Sequence, residues 1–110
     1  MEQQLILYET EFGEAPFNDW LTNLKDRRII NGIRSRLNRV RQGNFGDCKY
    51  IYDGVLELRS HYGKGYRVYF GKYKNNYVVL LCGGTKSSPL QDIQQAIKYW
   101  DNFKLEILDE

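Results

Sequence analysis

Cys48-Lys49-Tyr50-Ile51-Tyr52-Asp53-Gly54-Val55-Leu56-Glu57-Leu58-Arg59-Ser60 is the stretch from which the rest of the chain can be read. Side chains alternate in character on either side of Asp53-Gly54, a dipeptide suited to the positive φ angles of a two-residue turn, so the spacing predicts a hairpin with strands over 48–52 and 55–60. Toward the C-terminus, a third run over 66–73 follows Gly63-Lys64-Gly65 and a fourth over 77–82 follows Asn75-Asn76, which extends the hairpin into an antiparallel meander. Val78-Val79-Leu80-Leu81 is apolar at every position, as a strand covered on both faces requires; we place it centrally, paired to an N-terminal strand.

That N-terminal strand is Leu5-Ile6-Leu7-Tyr8. Gly13 separates it from Pro16, which opens a helix where a missing N–H costs nothing, and Phe17, Trp20, Leu21 and Leu24 share one helical face. Asp26 caps a second helix, with Ile30, Ile33, Leu37 and Val40 inward, Arg27, Arg34 and Arg41 in an outward row, and Gly43 at its end. The two helices are expected to form an antiparallel hairpin. After the last strand, Ser87 or Ser88 caps a final helix with Pro89 in its first turn and Leu90, Ile93, Ile97 and Trp100 as its apolar stripe. The expected order is β-α-α-β-β-β-β-α: an α+β fold with a twisted antiparallel sheet, in which an N-terminal strand joins a C-terminal meander.

A chain of 110 residues supports one core, so residues 1–110 read as a single domain. With 42% hydrophobic and 15% aromatic residues it has the apolar area a packed core needs, which excludes general disorder. No apolar run approaches the ~20 residues that cross a bilayer, and Met1-Glu2-Gln3-Gln4 does not resemble a secretory signal, so the expected location is cytoplasmic, without a membrane partner. Cys48, Cys82 and His61 do not make a metal shell at recognisable spacing; we expect reduced thiols, no metal and no cofactor. The net charge of +2 hides a strong partition. Between Lys25 and Lys86 stand fourteen Lys and Arg against four Asp and Glu, a net +10, while the remainder carries −8. Such a distribution points to a polyanionic partner at the middle of the chain, a solvated basic helix being the plainer reading of Arg27 to Arg41.

Alternation also sorts faces. Leu56, Leu58, Val68 and Phe70 are expected to pack on the helices, leaving Glu57, Arg59, Arg67 and Tyr69 on a polar face of adjacent strands, with Lys49 and Lys86 at its border. This set meets the demands of cutting a phosphodiester by attack of a ribose 2′-OH. An arginine fork binds two non-bridging oxygens and stays protonated. A lysine stabilises the leaving oxygen, and a carboxylate or perturbed phenol accepts the 2′ proton. The alternative is an ion-paired sheet surface. Tyr62, Tyr66 or Tyr69 are also candidates for stacking an unpaired base. His61 lacks an Asp or Ser at telling spacing, and neither Gly63-Lys64-Gly65 nor Gly83-Gly84-Thr85-Lys86 has full Walker spacing; both glycine pairs read as turns through which Lys64 or Lys86 approaches a phosphate. Trp20 and Trp100 read as core.

Asp47-Cys48-Lys49, Gly54-Val55-Leu56-Glu57-Leu58-Arg59, Gly65-Tyr66-Arg67-Val68-Tyr69-Phe70, Gly83-Gly84-Thr85-Lys86-Ser87-Ser88 and Asp92-Ile93 before Ala96 occur in that order, and in this the chain resembles the RelE/ParE toxin superfamily, closest to its phage-derived, HigB-like addiction module killer branch. The resemblance implies a type II toxin with helices packed on one side of the sheet. It further implies a ribosome-dependent, metal-independent endoribonuclease acting on mRNA, inhibited by a cognate antitoxin of helix-turn-helix type. By the resemblance Arg67 is the catalytic or phosphate-stabilising arginine and Lys86 an assisting basic residue, with Glu57 and Arg59 on the strand that supplies further active-site side chains and Tyr69 beside Arg67. Lys49, Lys64, Arg34 and Arg41 are expected to bind RNA. The chain departs from the pattern in having no His after His61, with Tyr99 on the final helix as the nearest substitute. A ParE-like gyrase inhibitor, or a non-catalytic RNA- or partner-binding module, is the alternative that shares the fold.

Overall fold

The structure is a computed structural model that describes residues 1–60 and 65–108. The hairpin forms where its turn chemistry places it: β2 (Cys48–Tyr52) and β3 (Val55–Ser60) meet through Asp53 and Gly54, whose φ angles are 50° and 90°. β4 (Tyr66–Tyr73) and β5 (Tyr77–Thr85) continue the meander, and β1 (Gln4–Leu7) completes a five-stranded sheet of order β1-β5-β4-β3-β2. Three helices accompany it: α1 (Pro16–Thr22), α2 (Arg27–Arg41) and α3 (Pro89–Leu108). The predicted element order is observed, and Asp26 caps α2 by accepting the Arg28 N–H at 2.9 Å.

Two expectations are corrected. First, β1 pairs with β5 as anticipated, but in parallel, with Leu5 opposite Val78 and Leu7 opposite Leu80, so the sheet is mixed and not antiparallel. The short turns of the meander set the relative directions of β2 to β5; β1 is separated from them by two intervening helices, and nothing in its own residues encodes which way it runs. Second, helices cover both faces. On one, Phe17 and Leu21 of α1 and Ile33, Leu37 and Val40 of α2 pack with Leu58, Val68, Phe70, Val78 and Leu80. On the other, Ala96 and Trp100 of α3 pack with Val55, Tyr69, Val79, Leu81 and Cys82. The continuous apolar run of β5 serves both cores.

A bulge sharpens that division. The pairing of β4 with β5 slips between Tyr69↔Cys82 and Phe70↔Leu80, so Leu81 is the extra residue and joins its neighbour Cys82 in the α3 core. Trp100 anchors α3: its indole N–H donates to the Asp53 carbonyl at 2.7 Å, and its ring lies where a Cβ on Gly71 would approach within 2.3 Å. Leu90, expected in the apolar stripe, is 69% exposed, whereas Ile93, Ile97 and Trp100 of the same stripe pack on the sheet. Among the described residues no helix is long and apolar enough to cross a membrane.

Candidate functional site

The polar cluster predicted from alternation forms, on the sheet face that α3 only partly covers. Glu57 and Arg59 come from β3 and Arg67 and Tyr69 from β4, in a register that sets Glu57 opposite Tyr69 and Arg59 opposite Arg67. Glu57 is the hub. Arg59 Nε donates to Oε1 at 2.8 Å, Arg67 Nη1 to Oε2 at 3.5 Å, and the Tyr69 hydroxyl to Oε2 at 3.0 Å. The carboxylate is 2% exposed, whereas the side chains of Arg59 and Arg67 are 35% and 22% exposed, so the anion lies beneath two guanidiniums that reach solvent. Both carboxylate oxygens thus have strong donors, which is what makes a charge tolerable at that depth.

The environment assigns different capacities to these groups. Tyr69 is completely buried, and burial first, then the neighbouring Glu57 charge, push its phenol well above the ordinary tyrosine range. The expectation that Tyr69 accepts a proton or stacks on a base is therefore corrected: its hydroxyl is a donor that orients Glu57 from below. The hydrogen bond and charge of Glu57 raise Arg59 further, leaving it a permanent cation.

Lys49 is exposed on β2 directly opposite Glu57 in the strand register. Lys86 follows β5, where its N–H donates to the Gly65 carbonyl at 3.1 Å and its side chain is exposed next to the start of β4. Both lysines thus border the cluster. Arg34 and Arg41 do not: they lie on α2, across the sheet from Glu57, where they line an apolar groove beside Leu5, Leu7 and Leu37. A surface row on a helix carries no information about which sheet face that helix will cover. Lys64, His61 and Tyr62 lie outside the described residues. Tyr66 is turned to the α1 side, its ring 6.3 Å from that of Trp20.

Gly83-Gly84-Thr85 is not a phosphate-approaching turn but the end of β5. Gly83 lies beneath Trp20, and a Cβ on Gly84 would come within 2.0 Å of Asp92 Oδ2, so these positions admit a ring and a carboxylate packed on the strand. Asp92, in the first turn of α3, accepts from Ser88 Oγ at 2.9 Å and stands beside Gly84, the β5 partner of Arg67. Arg36, which no motif in the sequence marks, also supports the site. Its guanidinium donates to the main-chain carbonyls of Arg59, of Phe45 at 3.1 Å and of Asp47 at 3.4 Å. Its signal was slight: Arg36 adjoins Leu37, at the margin of the apolar stripe rather than in the outward arginine row.

Among the described residues no group of three or more His, Cys, Asp or Glu side chains could hold a metal ion. The chemistry on offer is ionic: paired guanidiniums on a shared carboxylate, flanked by two exposed lysines.

Fold and site define a two-core α+β protein with a cation-rich sheet end. No protein-family model matches the chain. Over 80 residues it is 48% identical to an uncharacterized protein of Haemophilus influenzae, an alignment spanning 73% of this chain and 81% of that protein. The chain belongs to the same family as that Haemophilus protein.

Proposed function

We propose that this protein is a RelE/ParE-like, HigB-type toxin that cleaves mRNA on the ribosome. The observation that carries the reading is the convergence of Arg59 and Arg67 on the Glu57 carboxylate, an arrangement in which two permanent cations are held side by side and partly open to solvent. A scissile phosphate offers the same planar pairs of oxygens to those forks and competes for them. As the phosphate draws the guanidiniums away, Glu57 is released to take the proton of the attacking 2′-OH. The 2′-oxygen bonds to phosphorus, the bond to the 5′-oxygen breaks, and Lys86 supports the departing oxygen. Arg67 and Arg59 meet the charge that accumulates on the non-bridging oxygens. Tyr69 keeps Glu57 oriented throughout. Cytoplasmic action, the ribosome as the surface that presents the transcript, and a helix-turn-helix antitoxin as the inhibitor belong to this reading.

Primer extension on translated mRNA after a pulse of expression tests it. New 5′ ends within codons are expected, and Arg67→Ala, assayed well below its own melting temperature, should reduce them about 10²-fold or more. Intact transcripts accompanied by DNA breaks would instead identify the gyrase-directed alternative. A fully toxic Arg67→Ala would remove this arginine from the mechanism.

A further inference from the structure

A second surface is unlike the first in every respect. Between the segment after β1 and the C-terminal half of α3 lies an open groove of about 450 Å³, lined by Tyr8, Phe12, Tyr99 and Leu105 among others. Its floor is the pair Tyr8 and Tyr99, ring centroids 5.0 Å apart, with Tyr8 almost wholly buried. Its walls stand out into solvent: Phe12 is 82% exposed and Leu105 60%. The exposure of Phe12 is imposed by an ordered turn, since the Thr10 N–H donates to the Glu14 carbonyl at 2.8 Å, the Gly13 N–H to the Thr10 carbonyl at 2.9 Å, and the Glu14 N–H to Thr10 Oγ1 at 3.2 Å. An aromatic ring held in water by three hydrogen bonds, beside an apolar trough, is an anchor without its counterpart.

The rim states what the counterpart carries. Glu11, Glu14 and Glu106 line the groove against one cation, Lys98. The bias extends beyond the lining, because residues 1–24 contain five Asp and Glu and no Lys or Arg. Such a field repels nucleic acid and anionic lipid and attracts a cationic surface. One wall is a helix and the other a closed turn, so an occupant finds no strand edge to extend and must bind through side chains, as an amphipathic helix does. From these features we propose that the Phe12–Leu105 groove docks a cationic amphipathic α-helix of a partner protein. Apolar side chains at helical spacing seat on Tyr8 and Tyr99 between Phe12 and Leu105, and lysines or arginines on the flanks meet Glu11, Glu14 and Glu106. The groove lies roughly two to four turns along α3 from Asp92, so the proposal stands independently of the ribonuclease reading.

Fluorescence anisotropy with the full chain provides the test. The probe is a labelled helical peptide of about 18 residues with leucine on one face and lysine on the other; its counterpart carries glutamate in place of lysine. Saturable binding of the lysine peptide is expected, at least tenfold tighter than the glutamate peptide and weakening with salt. Phe12→Ser with Leu105→Ser, and separately Glu11→Lys with Glu14→Lys, should each weaken it about tenfold while leaving thermal melting unchanged, because Phe12 and Leu105 are largely solvated. Absence of saturation at 100-micromolar order peptide, equal binding of both peptides, or binding indifferent to these variants would overturn the proposal. So would sedimentation showing a dimer that Phe12→Ser dissociates, since the occupant would then be a second copy of this chain.

Discussion

Arg36 on α2 donates to the main-chain carbonyl of Arg59 on β3, and this contact ties a helix on one face of the sheet to a residue whose guanidinium lies on the other. The same guanidinium holds the carbonyls of Phe45 and Asp47, while the Arg59 N–H donates to the Asp47 carbonyl at 3.0 Å. The end of β3 is thereby fixed from below, and Arg59 is aimed at Glu57. Replacing Arg36 by Ala takes a donor from the Arg59 and Phe45 carbonyls and leaves that of Asp47 with the Arg59 N–H, and should cost on the order of 1–3 kcal/mol in urea denaturation. Arg36→Lys, which supplies one ammonium for a fork, should recover only part of that loss.

Glu57 neutralises two guanidiniums, so Glu57→Ala should be more destabilising than Arg67→Ala. The first leaves Arg59 and Arg67 facing each other without a counter-charge; the second leaves Glu57 with Arg59 and Tyr69. A loss on the order of 2–3 kcal/mol is expected for Glu57→Ala, below the figure for a fully buried pair because solvent reaches both arginines. Chemical denaturation of the two variants side by side checks the order, and a reversed ranking would contradict the role of Glu57 as hub.

Tyr69 predicts a pH effect. Its phenol is harder to deprotonate in the folded chain than in the unfolded one, through burial first and the Glu57 charge second. Above about pH 10, the ordinary tyrosine value, the unfolded state therefore loses a proton that the folded state keeps. The stabilisation is fully present below that pH and is lost as the pH rises through the alkaline range. Tyr69→Phe should flatten this alkaline decline in unfolding free energy, measured by urea titration between about pH 9 and pH 11.

Gly71 and Trp100 form a contact that admits no side chain. A Cβ at Gly71 would lie 2.3 Å from the indole, which is itself buried and held by its bond to the Asp53 carbonyl. Gly71→Ala must displace α3 and should cost about 1–3 kcal/mol or more. A melting temperature equal to that of the parent would show that α3 is free to shift.

Cys82 is buried against α3, and burial followed by the Asp92 charge pushes its thiol up to about 12. In the native protein at pH 8 it should not react with an aromatic disulfide reagent, and it should become reactive on unfolding. Cys48, half-buried and also raised by burial, should react slowly in the native state. Rapid labelling of Cys82 under native conditions would mean that α3 opens readily.

Several features are legible in the sequence alone. The positive φ at Asp53 and Gly54, the bounds of β2, β3 and β4, the cap at Asp26 and the shared face of Glu57, Arg59, Arg67 and Tyr69 all depend on neighbours close in sequence, or on the period of two along a strand. The same reasoning misled where distance in sequence mattered. Arg34 and Arg41 lie across the sheet from the Glu57 cluster, and Tyr69 shares the face of that cluster but has no exposure. Arg36 carries no such signal, because its partners are main-chain carbonyls 9 to 23 residues away, which leave no compositional trace.

By itself, then, the sequence determined the elements, their order, which strand residues share a face and the charge partition, since torsional preference and side-chain period act over a few residues. Only the tertiary structure decided that β1 runs parallel to β5, that α3 takes the face opposite α1 and α2, and that Glu57 rather than solvent receives both arginines. Those outcomes depend on packing between segments far apart in the chain, where the free energy of the whole assembly, and no local preference, selects one arrangement.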